Sequence, residues 1–196
     1  MWLGQIQVQT LLDTSGLHAP LHEVFLEATR EAIDPYRHWL EPDAIEPITQ
    51  RMVLPVQAYL VRTKHHRILI DTCVGCGKLN PDTPDWHLRS DRSWLQRLAE
   101  AGLSPADIDY VFCTHLHSDH CGWNTELRDG RWAPTFPNAK YIFSRLELEA
   151  TAKLGGASFE QSVLAVLEAG QAQLVELDYA MDDEVWLEPA VVHKEG

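Results

Sequence analysis

The chain has 196 residues, with 16 Lys+Arg against 29 Asp+Glu for a net charge of −13, and is 45% hydrophobic and 23% charged. This ordinary globular composition suits a single domain over residues 1–196 with a real core, and the acidic balance argues against nucleic acid as a partner. No apolar run approaches the roughly 18–20 residues of a membrane span, the start Met1-Trp2-Leu3-Gly4-Gln5 lacks a signal-peptide pattern, and four cysteines are too few for a disulfide scaffold; a soluble cytoplasmic protein without membrane association is expected.

Ile6, Val8 and Thr10 alternate with Gln5, Gln7 and Gln9, which predicts an edge strand with one buried face. Residues 13–50 carry Pro20, Pro35, Pro42 and Pro47, and only 21–33 suit a helix, so this long excursion is expected to act as a lid or substrate loop. Residues 56–61 and 67–71 are β-rich runs around the polar Arg62-Thr63-Lys64-His65-His66, a hairpin signature whose histidines read as a solvated turn. The loop at 78–92 follows, and Trp86 and His87 within it, with Trp39 earlier, are candidates to overhang a site. Ser93 is expected to cap a helix with Trp94, Leu95, Leu98 and Ala101 on one side and Gly102 as its stop. Ser104-Pro105-Ala106-Asp107 has the form of a capping box, and it feeds a buried strand over 108–114. Beyond it, 139–143 reads as a strand. Ser144 with Glu147, and Ser158 with Gln161, each predict a helix opened by a capping box; the second helix carries Phe159, Val163, Val166 and Leu167 and ends at Gly170. Short strands are expected at 172–177 and 185–188. Strands and helices alternate throughout, so the fold class is α/β or α+β with layered packing.

The chemistry concentrates where the 108–114 strand ends. His115, His117, Asp119 and His120 form His-x-His-x-Asp-His, a pattern expected by chance only roughly 0.002 times in a chain with ten histidines, so accident is a weak account of it. In extended backbone His115 and His117 point the same way and can hold one divalent ion. Asp119 and His120, past the turn, can face a second. Two ions about 3.5–4 Å apart can share and activate a water for hydrolysis. Zinc suits such donors best, while iron, manganese and cobalt take the same ligands. Asp71, at the end of its strand, either orients a ligating histidine through the other ring nitrogen or only caps a turn. Cys73-Val74-Gly75-Cys76 supplies half a zinc site at most. Cys113 and Cys121 read as packing positions, and Trp123 and Asn124 either border a substrate or pack beneath the loop.

The segment Thr114-His115-Leu116-His117-Ser118-Asp119-His120-Cys121-Gly122-Trp123-Asn124 resembles the signature of the metallo-β-lactamase-fold hydrolases. It is most similar to the branch of acyl-homoserine lactonases and methyl-parathion-hydrolase-like enzymes. Leu69-Ile70-Asp71-Thr72, Gly130-Arg131-Trp132 and Phe136-Pro137-Asn138-Ala139 extend the likeness over about residues 53–189. The resemblance implies an αββα sandwich and two divalent ions. It assigns His115 and His117 to the first ion, Asp119 and His120 to the second, and to Asp119 the holding of a nucleophilic hydroxide. It also implies a later histidine, for which His193 stands in position without the usual Thr-Pro-Gly before it. A bridging aspartate and a last histidine have no counterpart before Gly196. The C-terminal half of the sandwich is therefore expected to be largely missing, the second of the two ions to lose its bridge and most of its cage, and an uncovered sheet to favour a homo-oligomer. The expected function is hydrolysis of an ester-like bond in a small molecule, a lactone or phosphotriester. The alternatives are a truncated, catalytically silent metal-binding fragment or assembly partner, and a nuclease relative that the −13 charge disfavours.

Overall fold

The structure is a computed structural model and describes residues 1–176 and 178–190. In chain order its strands and helices are β1 (Trp2–Leu3), β2 (Ile6–Pro20), α1 (Leu21–Val24), α2 (Arg30–Ile33), α3 (Arg37–Leu40), β3 (Arg51–Arg62), β4 (Arg67–Ile70), α4 (Ser93–Glu100), β5 (Tyr110–Phe112), α5 (Ser118–Cys121), β6 (Thr125–Arg128), β7 (Arg131–Pro134), β8 (Lys140–Ser144), α6 (Arg145–Leu154), α7 (Ala157–Ser162), α8 (Leu164–Glu168), β9 (Ala172–Val175), β10 (Tyr179–Ala180) and β11 (Trp186–Leu187). They form two compact units: residues 12–56, and residues 1–11 with the described residues from 57 onward.

The larger unit is built on a mixed sheet in the order β1-β2-β3-β4-β5-β8-β9. β3 and β4 form the expected antiparallel hairpin, and β4, β5, β8 and β9 run parallel. Strand alternation divides the apolar residues between two faces. On one face Val61, Ile68, Ile142 and Val175 are buried, with Ile6, Val8, Ile70, Tyr110 and Phe112 packed around them. The antiparallel pair β10–β11 lies over part of this face and adds Met181, Tyr179, Val185 and Leu187 to the same cluster, so the face is not left bare. The β3–β4 turn grips that hairpin: His66 Nδ1 lies 2.8 Å from Asp182 Oδ2, and Lys64 N donates to Glu184 at 3.0 Å. His66 is thus tied down, where its sequence reads as a solvated turn.

α4 buries Trp94 and Leu98, as their spacing predicts. Trp94 stacks on Trp123 at 5.7 Å between ring centroids and meets Phe136 edge-on at 6.2 Å. Ser93 does not cap this helix: Arg92 stands at its start without a side-chain cap, and Asp91 accepts the Ser93 N–H at 2.8 Å. Ser104 and Asp107 form their capping box. Ser144 and Glu147 do not, and neither do Ser158 and Gln161: Ser144 precedes α6 and Gly156 precedes α7, neither giving a side-chain cap. The smaller unit holds α1, α2 and α3 and is centred on Ile45 and Met52, which are buried and bridged. Arg37 ties it together through Asp34 at 2.6 Å and Glu41 at 2.7 Å. The helix expected over 21–33 is broken: Phe25 turns extended after α1, and Thr29 caps α2 anew through Ala32 N.

Candidate metal centre

β5 sits in the middle of the sheet and carries the chain out at Cys113 into the histidine segment. His117 is still extended (ψ 159°), and α5 begins at the next residue. That change of backbone swings Asp119 and His120 back toward His115. The His115 ring lies 3.8 Å from that of His120 and 4.6 Å from that of His117, centroid to centroid. Asp119 Oδ2 is 3.2 Å from His120 Nε2. The four residues that the sequence singles out are therefore neighbours in space. His193, the fifth expected ligand, lies outside the described residues.

A second loop holds this segment from beneath. Asp71 follows β4, and its carboxylate accepts the Thr114 N–H at 2.7 Å and the Thr114 hydroxyl at 2.9–3.0 Å, while its Oδ2 is 2.8 Å from His120 Nδ1. Of the two readings of Asp71, the orienting one matches this geometry. The backbones of the two loops are laced together: Thr72 N donates to His120 O, Gly122 N to Cys73 O and Trp123 N to Thr72 O, at 2.7–2.8 Å. Gly75 and Gly122 make the approach possible, since a Cβ on Gly122 would stand 1.9 Å from Val74 O. Trp123 and Asn124 are fully buried, which matches the packing one of their two readings; Asn124 accepts the Thr72 hydroxyl at 2.9 Å.

The electrostatics follow from this packing. Burial, together with the charges of His120 and His117, pushes His115 down toward the neutral imidazole that ligates metals. Burial also opposes charge on His120, but hydrogen bonds to Asp119 and Asp71 outweigh it and lift that imidazole to about 9. Against its own burial penalty, Asp119 is held below the ordinary carboxylate range by His120. Three imidazoles and a carboxylate with one histidine oriented from behind are the donor chemistry of a zinc site. The donors are gathered, but among the described residues no group of three or more His, Cys, Asp or Glu side chains is arranged so as to hold a metal ion. None of the four cysteines is in a disulfide, and Cys73, Cys113 and Cys121 are buried.

Three supporting residues have no sequence signal as site residues. Glu147 Oε1 accepts the Leu116 N–H at 3.1 Å, and the Ser158 hydroxyl donates to Leu116 O at 2.9 Å. Lys78, 3% exposed, braces the loop after Asp71 by donating to Thr125 Oγ1 at 2.6 Å and Gln161 O at 2.7 Å, with its ammonium 3.6 Å from the Trp132 ring centroid. Burial drives its pKa down to about 7. No helix among the described residues is long and apolar enough to cross a membrane.

Residues 51–188 match the family model of the metallo-beta-lactamase superfamily. Among curated relatives, the N-acyl homoserine lactonase AiiB of Agrobacterium fabrum is 33% identical over 85 residues, covering 38% of this chain and 31% of that protein. The chain thus aligns with about a third of that relative's length. Among solved structures, a probable metal-dependent hydrolase from Staphylococcus aureus shares the fold over 95% of this chain and 64% of its own, with TM-score 0.70 and 21% identity. An N-acyl homoserine lactone hydrolase with N-hexanoyl-L-homoserine at its catalytic metal centre is 27% identical, with TM-score 0.51, over 70% of this chain and 54% of its own.

Proposed function

Since the chain belongs to the metallo-beta-lactamase superfamily, we propose that it is a metal-dependent hydrolase acting on an ester-like bond of a small molecule, a lactone or a phosphotriester. The observation that carries this reading is the gathering of His115, His117, Asp119 and His120 on one loop, with Asp71 fixing His120 from behind. Zinc is the proposed metal. His115 and His117 would hold one ion through ring nitrogens, and Asp119 through its carboxylate and His120 through Nε2 would hold a second divalent ion. A bound divalent ion supplies Lewis acidity and brings the pKa of water near neutrality.

What the chain itself does is organise the donors. Asp71 accepts from Nδ1 of His120, which leaves Nε2 of that ring as the ligating atom. Asp119, kept ionised, is the group to hold and orient a nucleophilic water and to take up a proton from it. Residues 13–50 are proposed as the lid or substrate loop. Homoserine lactones are the proposed lactone class, by analogy with the relatives.

The test is metal analysis of purified protein alongside hydrolysis of an N-acyl homoserine lactone and a phosphotriester. The reading expects about two zinc equivalents per chain. It also expects loss of hydrolysis in Asp119→Ala by about 100-fold or more. Unchanged activity in metal-free protein overturns it. Zinc bound without turnover favours the second reading, a silent metal-binding chain.

A further inference from the structure

We propose that Glu147 and Ser158 are positioning residues that set the directions of the His115 and His117 imidazoles. The inference rests on the metal-centre reading above and extends it to two residues outside the histidine segment. Leu116 separates the two histidines and is 2% exposed. Its N–H belongs to the peptide plane that follows His115, and its C=O belongs to the plane that precedes His117. Glu147 Oε1 holds the first plane at 3.1 Å and the Ser158 hydroxyl holds the second at 2.9 Å. Each histidine therefore has an adjoining peptide plane fixed by a side chain from another element, Glu147 from α6 and Ser158 from α7.

Local sequence gives both residues a different task. Glu147 stands three residues after Ser144 and Ser158 three before Gln161, the spacing of capping boxes, yet neither box forms. The helix starts go without side-chain caps, and the groups that would supply them reach 31 and 42 residues back to Leu116 instead. Gln161 is diverted in the same way, its Oε1 accepting Leu79 N at 2.9 Å. Cys121 adds to the grip: its Sγ lies 3.3 Å from Ser158 Oγ and donates to His117 O at 3.2 Å. α6 and α7 thus form a bracket around the central residue of His-x-His.

The bracket implies that an acceptor is needed at 147 and a hydroxyl at 158, while negative charge at 147 is not. Zinc affinity measured by competition with a chromogenic chelator, and the cobalt(II) absorption spectrum, read this directly for wild type, Glu147→Ala, Glu147→Gln, Ser158→Ala and Ser158→Thr. Glu147→Ala and Ser158→Ala are expected to lose about tenfold in zinc affinity and to shift the cobalt bands. Glu147→Gln and Ser158→Thr are expected to stay within about threefold of wild type, against that tenfold loss. Circular dichroism of the metal-free proteins identifies folded variants, and if Glu147→Ala does not fold, the serine pair decides on the same criteria. Wild-type zinc affinity and cobalt spectrum in both folded alanine variants overturn the positioning role while leaving the metal centre intact. A wild-type chain that binds neither zinc nor cobalt overturns the metal centre itself, and the proposal with it.

Discussion

Gly122→Ala is the sharpest test of how the site is built. The added methyl would lie 1.9 Å from Val74 O, 2.0 Å from Val74 C and 2.6 Å from Gly75 N, all backbone atoms with no rotamer to relieve the overlap. Reaching ordinary contact near 3.5 Å requires the two loops to part by about 1.5 Å. Such a movement breaks the bonds from Gly122 N to Cys73 O and from Trp123 N to Thr72 O, and strains Thr72 N to His120 O. Each contributes about 0.5–1.5 kcal/mol net, and the steric term adds about 1–3 kcal/mol. The expected loss is therefore about 3–6 kcal/mol, or a fall in Tm on the order of 10–20 °C for a chain of this size. Gly102→Ala is the control: its φ is +80° but nothing lies within 4 Å of its new methyl, so it costs only about 1–2 kcal/mol of left-handed backbone strain. Urea unfolding followed by tryptophan fluorescence measures both, and zinc affinity is read in parallel because His120 is two residues away. A Gly122→Ala variant no less stable than Gly102→Ala would refute the close-packed loop pair.

Asp71→Asn keeps the size and tolerates the φ of 60° that Asp71 adopts, but it must turn its amide oxygen toward the Thr114 N–H and its NH₂ toward His120 Nδ1. The His120 proton then moves to Nε2, the atom needed for metal, and zinc affinity should fall about 10–100-fold; affinity within twofold of wild type, against about tenfold or more expected, refutes the tautomer argument. Lys78 makes stability depend on pH. Its folded pKa of about 7 lies below the free value of 10.5, so between those limits the unfolded chain binds more protons and stability rises with pH. From pH 7.5 to 9 the gain from this group should approach about 2 kcal/mol, and Lys78→Met should remove it; parallel pH slopes in the two proteins would show that Lys78 is not the source.

Much of the fold is legible because its strands alternate and its donors cluster within six residues. Ile68 and Ile70 against Leu69, and Tyr110 and Phe112 against Val111, divide between the two faces as a period of two requires. The His115–His120 segment announces metal chemistry because the donors come from one turn of chain. What holds them announces itself only in part, at Asp71, whose strand-end position admits an orienting role. Asp71 lies 49 residues from His120, and Glu147 and Ser158 lie 31 and 42 residues from Leu116. Their local patterns match a strand-end turn and two capping boxes, and those patterns report only the local competition for a backbone N–H. Ser104 and Asp107, with no site loop to serve, win that competition and form their box. The β6–β7 hairpin carries its signal openly in Asp129-Gly130, both left-handed at φ 51° and 77°, as a tight two-residue turn requires. Lys78 is the opposite case: nothing in a loop sequence marks one lysine as buried.

The same distances explain why the site is tied to the core rather than laid upon it. Asp71 and Cys73 both adopt left-handed backbone, at φ 60° and 52°, a cost of about 1–2 kcal/mol each for residues with a Cβ. Four backbone hydrogen bonds hold that conformation: Asp71 N to Phe112 O, Thr72 N to His120 O, Gly122 N to Cys73 O and Trp123 N to Thr72 O. At about 0.5–1.5 kcal/mol each they match the strain. The turn after β4 is therefore held by the end of α5 and the residues that follow it, among which Trp123 is buried and stacked on Trp94. The strain places the Asp71 carboxylate beneath His120, and the core beneath Trp123 keeps it there. Loosening that tryptophan stack thus reaches the metal donors without touching any of them.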